Sequence, residues 1–388
     1  MSWQNWSRRL DAQNAELVFL RSEDDARALA KQASARAESL RVTGAGHSHA
    51  PLVPCDGIIA DCSGMAGILE IDTSTHTAWV GGGTRIYALG HALQRHGLGL
   101  KNQGDIDQQA IAGATATGTH GTGAKLQNLS ASVVGMRLAC ADGEIHQLEI
   151  SDGDHGQACR LNLGALGIVT AIKLQLREAY RLQETSWRTG LDELLPEVET
   201  HIHANRHFEF FWYPRQDLAV AKTINETASD PIYPVGPEGS RCAWSYEVLP
   251  NHRPTPHTEM EYSVPAAAGL DCLAEIRDLL QNKHTDVGWP VEYRTLAADD
   301  VWLSSANGRD TVTISVHQDV AIDERSYYED CEAIFRNYNG RPHWGKVNYM
   351  SGKELAAVHP DWDRWWQARD QLDPTGIFLN PYLKSIRP

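Results

Sequence analysis

The chain has 388 residues, enough for two or three domains, and the composition of a globular protein. Its 35 basic and 50 acidic residues give a net charge of −15, which argues against a nucleic acid or an anionic membrane as partner and favours a neutral or cationic small molecule. The seven cysteines are scattered, with no Cys-x-x-Cys pair, and there is neither an apolar leader nor an apolar run of bilayer length, so free thiols in a cytoplasmic protein are expected.

In chain order, Val18 to Leu20 reads as a short strand. Ser22, with Asp25 three residues on, starts an Ala-rich helix running to about Ser39. Arg41 to Thr43 then leads into a first glycine loop, Gly44-Ala45-Gly46-His47. Pro51 and Pro54 oppose a helix after that loop, so it is not the Gly-x-Gly-x-x-Gly turn of a Rossmann fold. Short strands are expected at 57–61, 68–72 and 77–80, and a helix from Thr84 to about His96 with Gly97 as its C-cap. Residues 104–123, GDIDQQAIAGATATGTHGTG, form a second glycine segment without lysine or arginine. Bare backbone can approach a pyrophosphate there, which makes a nucleotide the first candidate ligand, with an ordinary Gly/Thr-rich loop or strand pair as the alternative. Asp142-Gly143 marks a hairpin between 133–141 and 144–148, and alternating Ile172, Leu174 and Leu176 mark a half-buried strand. Past about residue 178 the pattern changes to an α+β one, with a helix over 191–205, a strand over 207–213, a Pro-rich passage, a helix over 266–281 and a Trp-rich helix over 361–371.

Five stretches taken together carry a resemblance that spacing alone does not give: GAGHS at 44–48, ATGTHGTG at 116–123, LGALGIVT at 163–170, VEYRTLAADDVWLS at 291–304 and RPHWGK at 341–346. They resemble the vanillyl-alcohol-oxidase-type (PCMH-type) FAD family, and within it the branch of gulonolactone, arabinonolactone and alditol oxidases. The resemblance implies an α+β, two-domain chain: a PCMH-type FAD-binding domain at 1–178, a substrate-binding cap with an antiparallel sheet and helices at 179–372, and a C-terminal segment, 373–388, returning to the FAD domain.

The same resemblance assigns roles. His47 matches the histidine that bonds to the flavin 8α-methyl group. Gly44, Ala45, Gly46 and Ser48, with Gly113, Thr117, Gly118, Thr119, Gly121, Thr122 and Gly123, are expected along the pyrophosphate and ribityl chain, and Val169 at the adenine. His120 is either a flavin contact or a packed support for its loop. Glu292 and Arg294, two apart on a strand, share a face and match the active-site Glu-x-Arg pair, while Lys346 matches a lysine at the pyrimidine side of the flavin. His317, which titrates near neutrality in water, is the candidate proton acceptor. It stands where the alditol branch carries threonine, and Asp105 stands where that branch carries a polyol-contacting serine. Both differences tilt the substrate towards a sugar lactone or related polyhydroxylated molecule. Gly104, a small residue beside the ring, favours dioxygen as electron acceptor. The alternative of a different class is a metal-dependent hydrolase using His47, His49 and His120; no nearby carboxylate completes that set, so no metal is expected.

Overall fold

The structure, a computed structural model, describes residues 2–388. Its N-terminal part is built on two sheets. A parallel three-stranded sheet has the order Glu16–Phe19, Ile58–Asp61, Leu40–Thr43, and the helix Glu23–Arg36 makes the crossover. Ser22 caps that helix by accepting from the Asp25 N–H at 3.1 Å. The antiparallel five-stranded sheet has the order Ile145–Glu149, Val133–Ala139, Ile168–Gln175, Thr77–Gly81, Ile68–Asp72. Its hairpin turns at Asp142-Gly143, with Gly143 at φ +79°, as the dipeptide predicts.

The C-terminal part is one antiparallel eight-stranded sheet in the order Cys242–Trp244, Arg181–Gly190, Leu218–Glu226, His207–Tyr213, Val291–Leu296, Thr311–Asp319, His257–Pro265, Arg341–Pro342. Side chains alternate between its faces with period two. Phe210, Tyr293, Ile314, Met260 and Tyr262 point into a core shared with the helices Gly269–Asn282 and Arg325–Asn337. Glu292, Arg294, Ser315, His317, Glu259 and Glu261 therefore come out on the opposite face, which looks towards the N-terminal part.

Several boundaries differ from expectation. The second glycine segment contains a short helix, Ile111–Ala116, which sequence reading did not find because six residues give no periodicity. The helix expected over 191–205 is interrupted at Leu195–Glu197, where Pro196 enforces a tighter turn between Leu191–Leu194 and Val198–Ala204. The chain also returns to the N-terminal part earlier than residue 373. Helix Trp362–Leu372 already docks there, with the Trp365 indole donating to Leu161 O at 3.0 Å and Arg369 Nε to Ala165 O at 3.2 Å. Next, Ile377 O accepts from the Leu40 N–H at 2.8 Å. The buried Arg41 guanidinium binds the carbonyls of Leu52, Leu163 and Gly164 at 2.6–2.7 Å, and that of Phe378. All seven cysteines are free and buried. No helix among the described residues is long and apolar enough to cross a membrane.

Candidate active site

Strand Leu40–Thr43 delivers the chain into the loop Gly44–Ser48, which forms one wall of a narrow cleft. Two carbonyls of this loop are used internally: Trp6 N–H donates to Gly46 O at 2.7 Å and Asn5 Nδ2 to Ser48 O at 2.9 Å. Its N–H groups are not. None from Gly44 to Ser48 donates to an acceptor among the described residues. Gly46 holds φ +67°, and a Cβ on Gly44 would lie 2.8 Å from the Ala110 Cβ. Consecutive amides without an acceptor among the described residues, lining a cleft, fit an anion cradle of the kind a dinucleotide pyrophosphate needs. Val169, beside a register shift in its strand, lines the same cleft, as do Gly113 and Thr117.

The cleft opens past His47, Ser48, Gln109 and Thr117 into a cavity of about 970 Å³ between the glycine loops and the cap sheet. On the cap side charge is dense and paired. Lys346 Nζ is bound by the Glu259 carboxylate. Arg294 Nη2 is 2.5 Å from Glu261 Oε2 and 3.2 Å from Glu292 Oε2. Glu261 also accepts from Ser315 Oγ at 2.8 Å and bonds His120 Nε2 at 2.7 Å. Two cations thus face three carboxylates. Glu259 and Glu261 are held well below the ordinary carboxylate range despite burial, the first chiefly by Lys346 and the second by His120 and Arg294. Glu292 goes the other way. Burial, with Glu209, Asp105 and Glu259 nearby, outweighs Arg294 and pushes it up to about 8. His317 bonds the Pro290 carbonyl through Nδ1 at 2.8 Å, and its Nε2 is 3.8 Å from Glu259. Burial lowers it to about 4, so the ring is neutral with its free lone pair at Nε2.

A family model described as D-arabinono-1,4-lactone oxidase matches residues 172–243 and 237–386, and one described as FAD binding domain matches 15–149. The L-gulono-1,4-lactone dehydrogenase of Mycobacterium tuberculosis is 35% identical over 99% of this chain and 98% of its own length. The chain belongs to the FAD-dependent sugar-lactone oxidase family. Other members at greater distance are the L-gulonolactone oxidase of Bos taurus, 26% identical over 100% of this chain and 98% of the relative, and the alditol oxidase of a Streptomyces species, 30% identical over 85% and 86%. The fold matches that of cholesterol oxidase from B. sterolicum with a TM-score of 0.90 over 100% of this chain and 96% of that one, at 18% identity. This sugar-lactone oxidase family member is an FAD-dependent oxidoreductase, and the cradle and cavity above fit the two ends of that cofactor.

Of the residues expected at the site, His47, Ser48, Gly104, Asp105, Thr117, Thr119, His120, Glu292, Arg294, His317 and Lys346 all line the large cavity. Burial lowers His47 to about 4, with Lys346, Arg85 and His257 adding to the effect, so it too is neutral. Asp105 has both carboxylate oxygens engaged, Oδ2 by Arg253 Nε at 3.0 Å and Oδ1 by Asn251.

The end of the second glycine segment is a correction. Gly118, Gly121, Thr122 and Gly123 line neither cavity. The Gly123 N–H donates to Thr295 O at 2.9 Å, Thr122 Oγ1 to Phe208 O at 2.6 Å, and a Cβ on Gly121 would lie 2.2 Å from Gln103 O. Thr122 and Gly123 are thus tied to the cap sheet, while Gly121 lets the segment pass tightly against Gln103 of the N-terminal part. The proposed histidine cluster is also not assembled, because His120 is drawn to Glu261 and Gly121 O, away from His47 and His49. Sequence reading missed Glu259, Glu261 and His257. The signal was the alternation in HTEMEYSVP at 257–265, which puts all three on one strand face.

Proposed function

We propose that the protein oxidises a carbinol carbon of an aldono-1,4-lactone or a related sugar-derived polyol, with FAD bonded through His47 and dioxygen as the final acceptor, giving hydrogen peroxide. Residues 1–178 would hold the cofactor and 179–372 cover it, with the chain from Trp362 onward packed back on the first unit. The N–H groups of Gly44 to Ser48 bind the pyrophosphate, Gly113 and Thr117 flank it, and Val169 meets the adenine. FAD, when bound, supplies the hydride acceptor. Everything else falls to side chains. Lys346 and Arg294 hold the substrate hydroxyl oxygen between two positive charges. The hydroxyl proton passes to His317 Nε2, where the Glu259 carboxylate stabilises the imidazolium that forms. Glu292, largely protonated near neutrality, donates or accepts a hydrogen bond to a neighbouring substrate hydroxyl. Trp6, Phe211, Tyr213 and Trp289 add aromatic surface to the polar cavity, a mixture suited to a sugar ring with apolar C–H faces and hydroxyl edges.

The observation that carries this reading is the meeting of Arg294, Glu292, Lys346 and His317 with His47 around one cavity. Free buried cysteines fit a reducing compartment such as the cytoplasm. A second reading, an enzyme with the same site that passes its electrons to an acceptor other than dioxygen, is favoured by the dehydrogenase name of the mycobacterial relative. Anaerobic mixing with aldonolactones, alditols and free sugars tests the first part. A lactone should bleach the flavin absorbance, and bleaching by none of them would overturn the proposal. Admitting air then separates the two acceptors by the speed at which colour returns.

A further inference from the structure

Residues 3–12 form a hairpin, Trp3–Gln4 paired with Asp11–Ala12, that straps the Gly44–Ser48 loop to the cap. Trp3 Nε1 donates to Thr43 Oγ1 at 2.9 Å, Asn5 Nδ2 to Ser48 O at 2.9 Å, and the Trp6 N–H to Gly46 O at 2.7 Å. At the far end Arg9 grips Glu324 of the cap with contacts of 2.9 and 3.2 Å. Between these anchors the Trp6 ring stacks on the His47 imidazole, with centroids 5.2 Å apart and planes 29° apart, and meets His257 edge-on at 5.3 Å. Neither nitrogen of His47 hydrogen-bonds to any of the described residues. With no such bond to fix the ring, the stack is what sets its plane.

We propose that Trp6 is the positioning residue for flavin attachment, holding the His47 imidazole so that one ring nitrogen faces the 8α-methyl carbon. This rests on the reading of His47 as the attachment site. In that step a nitrogen–carbon bond forms and a methyl C–H bond breaks. The two electrons remain on the ring system of the flavin, which also keeps the equivalent of two hydrogens, one from the methyl group and one from the imidazole. Dioxygen then removes both electrons and both protons as hydrogen peroxide. The imidazole has to arrive unprotonated, and the lowered basicity of buried His47 ensures that. Because attachment is intramolecular once FAD is seated, its rate depends on alignment, and a ring free to rotate loses most of that advantage.

The test compares wild type with Trp6→Phe, which keeps an aromatic plane, Trp6→Leu and Trp6→Met, which fill the space without one, and His47→Ala. Holoproteins are precipitated with acid, and flavin in pellet and supernatant is measured together with intact mass. Wild type and Trp6→Phe should keep their flavin with the polypeptide. Trp6→Leu and Trp6→Met should retain about tenfold less covalent flavin, with the remainder released into the supernatant, and His47→Ala none. Either aliphatic variant, folded by thermal melt and with the wild-type covalent fraction, overturns the proposal. Wild type releasing all its flavin, or His47→Ala keeping it, would instead remove the attachment reading itself and this inference with it.

Discussion

The two walls of the large cavity are built on opposite principles. The N-terminal wall, with the narrow cleft that opens through it, offers backbone: the unused amides of Gly44 to Ser48 along the cleft, a neutral His47 and an Asp105 already engaged by Arg253 and Asn251. The cap wall offers charge, with Lys346 and Arg294 set among Glu259, Glu261 and Glu292. A wall of amides is sensitive to added volume and indifferent to charge elsewhere. A wall of balanced buried charges is sensitive to the loss of any one partner, because the carboxylate left behind stays out of water.

Removing Arg294 should produce the largest effect. Arg294→Ala takes the guanidinium from Glu261 and Glu292, leaving Glu261 only His120 and Ser315, and deprives the substrate oxygen of one donor, and anaerobic flavin bleaching should slow about 10²–10³-fold. FAD content should stay near that of wild type, since the cradle lies on the other wall. Stopped-flow absorbance measures the rate, and an unchanged rate would show that the charged wall is not where substrate reacts. Gly44→Ala breaks the opposite wall. Its Cβ would sit 2.8 Å from that of Ala110, and overpacking of this kind should lower FAD retention about tenfold while leaving the reduction rate of the loaded fraction unchanged. Equal loading in the variant would mean that the cofactor does not approach this loop.

Glu292 gives the comparison a pH axis. Its folded-state pKa, about 8, lies above the ordinary 4.5, so between those values the unfolded chain gives up a proton that the folded protein keeps. This residue's contribution to stability therefore falls as pH rises from 4.5 towards 8 and levels off above that. Glu292→Gln has nothing to lose there. Its melting temperature relative to wild type should climb across the same window by a few degrees, and a flat difference would mean that Glu292 is ionised throughout.

How much of this was legible in the sequence follows the same division. Asp142-Gly143 announces its turn from the dipeptide alone, whereas Gly44, Gly46 and Glu292-x-Arg294 stood out because they lie in the stretches that carry the family resemblance. Glu259 and Glu261 did not, because HTEMEYSVP also reads as a strand with one solvated face. Only its position beside Thr311–Asp319, and so near Val291–Leu296, turns those carboxylates inward. The later glycines of 118–123 misled for a related reason. Glycine signals close approach without saying to what, and here the neighbours are Gln103, Leu126 and Arg206 rather than a cofactor. The stacking of Trp6 and the docking of the otherwise expected helix Trp362–Leu372 were illegible because their partners, His47 and Leu161, lie far away in sequence.

Gly104 sits at the seam between the walls and gives the smallest predicted effect. A Cβ there would lie 3.0 Å from Thr119 Cγ2 and 3.1 Å from His120 O, contacts that a shift of a few tenths of an ångström would relieve. Gly104→Ala should therefore fold, load FAD and be reduced by substrate as wild type is, because neither the amide cradle nor the paired charges move. With the flavin placed as proposed, the extra methyl removes free space beside it, and a molecule as small as dioxygen depends on such space while an outer-sphere acceptor dye does not. Reoxidation by air should slow a few-fold, with reoxidation by dye unchanged. If air and dye slow together, the methyl has disturbed the ring rather than narrowed a path to it, and if neither slows, dioxygen reaches the flavin by way of the cap wall.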